Sequence, residues 1–127
     1  MFQFSFLLSA ILFILLDSLY LHLISNWFQR QITNVQGTPI KLSASKGVSA
    51  ALCYVFLIAG LNYFIIKPNK SVSDAFLFGL IIYGVYETTN YTLFDKWSVF
   101  TVIIDTLWGG ILFALTTYLV RLIRQIF

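Results

Sequence analysis

Long apolar runs broken by short polar stretches dominate this chain, and four of the runs have the length of a membrane crossing. The first, Phe2 to Ile24, covers roughly 33 Å at ~1.5 Å per residue, about the thickness of a bilayer core. Lys46 to Ile66, Ala75 to Phe94 and Ser98 to Val120 are the second, third and fourth. Lys67-Pro68-Asn69-Lys70 and Asp95-Lys96-Trp97 read as tight polar turns between them. Ser25 to Ser45 is the only long polar connection. Within it Trp27, Phe28, Ile32 and Val35 recur at near-helical spacing, Gln29, Arg30, Thr33 and Asn34 face elsewhere, and Gly37 and Pro39 stop the pattern. This predicts a short amphipathic helix lying in the interface with Trp27 at headgroup level; an ordinary loop is the alternative.

The predicted architecture is therefore all-α: one transmembrane domain over residues 1–127, an integral membrane four-helix bundle with a short interfacial helix between spans one and two. No basic residue precedes the first run and no small-x-small site follows it, so that run is expected to be a retained helix rather than a signal peptide. Four crossings make the protein multi-pass, with both termini on the same side. Which side stays open. Lys67, Lys70, Arg121 and Arg124 lie with the termini and Arg30, Lys41, Lys46 and Lys96 lie opposite, a tie under the positive-inside rule.

Composition agrees with a bilayer as the main partner. Hydrophobic residues make up 59% of the 127 and charged ones only 10%, and the mean hydropathy is +0.86; a soluble domain of this size would expose too much apolar surface. The net charge of +3 is spread over loops and ends, which fits interface anchoring and not a nucleic-acid patch. Cys53 and His22 are each the single residue of their type. That excludes an intrachain disulfide, a paired redox motif and any thiolate or imidazole metal cage, and leaves only a carboxylate-rich metal site possible; the expectation is no metal and no cofactor. Cys53 is expected to be a packed structural thiol and His22 an interfacial hydrogen-bonding residue. Nucleotide loops, serine nucleophile elbows and zincin helices are missing, and Gly79 and Gly84 sit within an apolar run rather than a phosphate loop.

Candidate chemistry concentrates in three acids inside the runs. Asp17 lies seven residues before Ile24, Glu87 seven before Phe94 and Asp105 seven after Ser98. With antiparallel neighbours all three fall roughly 10 Å below one membrane face. Span two contributes Tyr54 at that height, and Tyr20, Tyr83, Tyr86, Asn90 and Trp108 are further hydrogen-bond donors close by in sequence. No lysine or arginine shares the level. Ionised carboxylates gathered in low dielectric repel one another and lose hydration, so such a group must hold a proton or a cation from outside. The plainer alternative is an interhelical hydrogen-bond network that only sets packing, where measured bonds average ~0.6 kcal/mol.

The order Asp17-x-x-Tyr20-Leu21, then Gly79-Leu80-x-x-Tyr83-x-x-Tyr86-Glu87-x-Thr89-Asn90-x-Thr92-Leu93, Trp97 and Asp105-x-x-Trp108-Gly109 resembles a family of small membrane proteins, domain of unknown function 2177. The resemblance runs over nearly the whole chain. Glu87 stands where the family usually shows Asp, and Tyr20 where it often has Trp. It implies a four-helix membrane protein and brings no activity with it.

Three functions suit this pattern. A small transport or binding module would use Asp17, Glu87 and Asp105, lined by Tyr54, Tyr83, Tyr86, Asn90 and Trp108, to exchange a proton or capture a cation. Four short helices scarcely enclose a pathway, so a homodimer is expected, with Gly47/Ala51 and Gly110/Ala114 as contact surfaces. A membrane enzyme acting on a lipid or isoprenoid would use Glu87 as acid, Asp105 as base or cation stabiliser and Asp17 as orienter. A structural or assembly subunit would use the same polar layer to dock a partner helix.

Overall fold

The structure, a computed structural model, describes residues 2–127, and its helices begin and end where the local chemistry directs. α1 runs over Phe2–Gln36, α2 over Ala44–Leu61, α3 over Val72–Leu93 and α4 over Val99–Ile126. Ser43 caps α2 by accepting from the Lys46 amide at 3.3 Å. Ser71 and Asp74 form a reciprocal capping box at α3, and Ser98 accepts from the Phe100 and Thr101 amides at α4. These caps satisfy amides that have no partner within the helix.

α1 differs from expectation. The amphipathic segment is not a separate helix in the interface but an unbroken continuation of the first span, 35 residues in all. At ~1.5 Å per residue that is roughly 52 Å, well beyond a bilayer core. Nothing between Ile24 and Gln36 breaks a helix; the first residue that does is Gly37, at φ 81°, whose amide bonds back to the Thr33 carbonyl at 2.8 Å. The extension is held by Gln31, a buried side chain. Its amide donates to the Lys96 carbonyl at 2.6 Å, and its oxygen accepts from the Ser98 amide and the Thr101 hydroxyl at 3.0 and 2.9 Å. Trp27 donates to Thr101 at 2.8 Å. The end of α1 is thereby fastened to the turn between α3 and α4.

α4 is the centre of the bundle, packed along α3 on one side and α1 on the other. The α3–α4 approach is close because Gly79, Gly109 and Gly110 lack side chains. A Cβ at Gly79 would overlap the Gly109 carbonyl, one at Gly109 would overlap the Tyr83 ring, and one at Gly110 would sit 2.8 Å from Phe76. Gly110 therefore serves contact within the chain. Phe13 of α1 and Phe113 of α4 meet edge to face at 5.4 Å between centroids, both fully buried.

α2 is attached at one end only. Its C-terminal half, through Ile58 and Leu61 and the π-helical turn Asn62–Ile66 that continues it, is buried against α1. There the Asn62 amide donates to Ser9 and to the Ile58 carbonyl, both at 2.8 Å. From Ala44 to Ala51 every residue is exposed, Gly47 with nothing within 4 Å of a Cβ. α2 thus leans away from the bundle toward its N-terminus.

Gln3–Gln36, Ala44–Ile66 and Val99–Ile126 are each long and apolar enough to cross a membrane. α3 is long enough, at 22 residues, but its last two turns are polar. Its threonines dispose of that polarity locally: Thr88, Thr89 and Thr92 donate to the carbonyls of Gly84, Val85 and Thr88 at 2.6, 2.6 and 2.9 Å.

A candidate carboxylate and tyrosine site

Two Asp-x-x-aromatic segments on antiparallel helices build the centre of the site. Asp17 and Tyr20 are one turn apart on α1, and Asp105 and Trp108 one turn apart on α4, so each pair projects from one helix face. Across the interface they exchange hydrogen bonds. Trp108 Nε1 donates to Asp17 Oδ1 at 2.9 Å, and the Tyr20 hydroxyl donates to Asp105 Oδ1 at 3.1 Å. The Tyr20 and Trp108 rings lie stacked between these bonds, 4.5 Å apart and 5° from parallel. Each helix supplies an acid and the donor for the other helix's acid.

Asp17 accepts a second bond at its other oxygen, from Tyr54 of α2 at 2.6 Å, so both its oxygens are held by neutral donors. It is 6% exposed. Glu87 of α3 is fully buried, and its Oε1 accepts from Trp97 Nε1 at 2.8 Å. Its Oε2 has no hydrogen-bond donor. The Asp105 carboxyl lies close enough to Glu87 for the two groups to interact directly. The three acids are therefore arranged as a pair, Glu87 with Asp105, and a separately caged Asp17. Among the described residues no three His, Cys, Asp or Glu side chains gather as metal ligands.

A cavity of about 370 Å³ opens beside this arrangement, where α2 leans away from α1 and α3. Asp17, Tyr20, Asp105, Tyr83 and Tyr86 line its polar part, and Glu87 is not on its wall. Tyr83 packs against Gly109 and edge-on to Phe113. Tyr86 is half-exposed, and Asn90 is buried one turn further along α3. Cys53, expected to be packed inside, is exposed and stands on the cavity wall. His22 is exposed on α1.

Two residues that the folded site uses do not stand out as site residues in the sequence. The pattern puts Trp97 in a polar turn, yet it is 4% exposed and gives Glu87 its only described donor. Gln31 lies inside an amphipathic pattern defined by its apolar neighbours. A tryptophan ten residues after a glutamate in an apolar run is the available signal for the first; no signal in the pattern marks the second.

The family model described as "Predicted membrane protein (DUF2177)" matches residues 2–122. No curated protein and no solved structure matches the chain.

Proposed function

Since the chain belongs to this family of predicted membrane proteins, we propose that it is a multi-pass membrane protein whose Glu87–Asp105 pair takes up a proton or a small cation in a proton- or cation-linked binding or transport cycle. Glu87 carries the reading. Glu87 is a fully buried carboxyl with one oxygen bonded to an indole, the other without a donor, a second carboxyl beside it and, among the described residues, no cation acting on it. Two such groups in a low-dielectric interior cannot both stay ionised and unaccompanied. Asp105 is the route between Glu87 and the cavity, since it touches both.

In this reading α3 crosses the bilayer with the other three helices and both termini lie on one side. Its inward face carries Glu87 and Asn90, while its threonines are bonded to their own helix. The alternative of a lipid-modifying enzyme with Glu87 as the acid is less well supported, because Glu87 stands behind the cavity wall. The alternative of an assembly subunit draws on the exposed half of α2, which a second copy or a partner helix would cover.

Infrared difference spectra of the reconstituted protein test the pair. Near neutral pH a protonated-carboxyl band is expected that disappears in Glu87→Gln. Vesicles containing a pH indicator should show proton flux driven by a Na⁺ or K⁺ gradient, lost in Glu87→Gln and Asp105→Asn while helix content is kept. Spectra and flux that neither substitution alters would remove the pair from any such cycle.

A further inference from the structure

The cavity beside the acid pair has a mixed wall. Asp17, Asp105 and the tyrosines 20, 83 and 86 give its polar part, and Leu21, Ile24, Phe28, Leu57 and Ile82 its apolar part. No lysine, arginine or histidine lines it. Its size, about 370 Å³, falls within the range that takes a small organic ligand. It opens where the first half of α2 stands off from the bundle, between helices whose outer faces carry exposed Leu19, Leu52, Phe56 and Val85. Those faces meet acyl chains once the protein is in a bilayer.

We propose that this cavity binds a cationic amphiphile, an alkyl-ammonium compound entering sideways from the bilayer, with its head between Asp17, Asp105 and the tyrosines and its chain along the Leu21–Ile24–Phe28 wall of α1. Charge complementarity selects the cation. Asp105 accepts from Tyr20 at one oxygen, Oδ1, and stands beside Glu87, so an incoming cation meets two carboxyls that have no basic side chain on the cavity wall to balance them. Tyrosine faces beside carboxylates attract organic ammonium groups, quaternary ones included, because the ring quadrupole is negative at its face. An anionic head would meet two acids and no base. A neutral alcohol would gain the hydrophobic contact but not the ionic one. The proposal deepens the binding reading above and shares its Asp105, yet it does not require that Glu87 exchange a proton.

The test uses the full chain in phosphatidylcholine nanodiscs and radiolabelled dodecyltrimethylammonium, with empty nanodiscs subtracted for partition into lipid. Saturable binding is expected, displaced by dodecylamine and not by dodecanol. Asp105→Asn should weaken it by about tenfold or more, and Ile24→Trp, which fills the wall along which the chain lies, should reduce it as well. Binding that never saturates above empty nanodiscs, or that dodecanol displaces as well as dodecylamine does, overturns the proposal. A carboxyl band that responds to pH in a protein showing no saturable binding would sink the amphiphile and leave the proton reading intact. The converse result would sink the proton reading alone.

Discussion

Trp97 and Glu87 show how one hydrogen bond decides whether a membrane acid is tolerated. Burying a carboxyl without partners costs several kcal/mol, and the indole supplies its only described donor. Trp97→Phe keeps most of the ring and removes that donor, leaving both oxygens unpaired. Its expected cost is about 1–3 kcal/mol in reversible unfolding from mixed micelles. Glu87→Gln retains an acceptor for the indole and removes the orphaned acid oxygen, so its cost should be smaller than that of Trp97→Phe. The reverse order would mean that the indole stabilises by packing alone. Asp17 differs from Glu87 because donors from two helices hold both its oxygens.

Between helices, contact distance is governed by glycine. Gly79→Ala or Gly109→Ala must push α3 and α4 apart, since the added methyl meets backbone in the first case and the base of the Tyr83 ring in the second. Overpacking of this kind costs about 1–3 kcal/mol. It should appear as lower stability in micelles and as a looser Glu87–Asp105 pair. Gly47→Ala is the control: nothing lies within 4 Å, so the same change within a helix should be neutral or mildly stabilising. A strong loss for Gly47→Ala would instead show that this face of α2 is covered by a second copy. The Gly109-Gly110 sequence is legible as a close-approach site; that its neighbour is α3 of the same chain, and not another copy, follows from Phe76 and Tyr83 lying over it.

The assembled bundle sets polar side chains among apolar ones at its centre and is apolar outside. Ser5, Ser9, Asn62, Thr116 and Thr117 are buried along with Asp17 and Glu87, while Leu7, Leu15, Leu23 and Phe56 are exposed. That inversion suits a hydrocarbon solvent, where packing and interhelical hydrogen bonds replace burial from water as the cohesive forces. The proposed crossing of α3 has a direct consequence. With four crossings, protease-cleavable tags at the two ends are cut from the same side of sealed vesicles. With α3 lying outside the bilayer, three crossings would place the tags on opposite sides. Cutting from opposite faces would remove α3 from the membrane, and with it the account of Glu87 as an intramembrane acid.

Helix number and the presence of acids inside apolar runs are readable from residue order, because bilayer thickness and backbone hydrogen bonding constrain length and polarity locally. Gly37 marks the end of its helix in the sequence itself, because the turn it makes bonds back only four residues, to Thr33. Counting along a helix gives height, and it says nothing about rotation or the lean of one helix against another. The exchange of donors between Asp17 and Asp105, the choice of Glu87 as the partner of Asp105, and the opening that exposes Cys53 all depend on those angles. They were settled by packing between residues as far apart in the chain as Phe13 and Phe113, chiefly by the glycines that seat α3 on α4 and by the burial of the C-terminal half of α2.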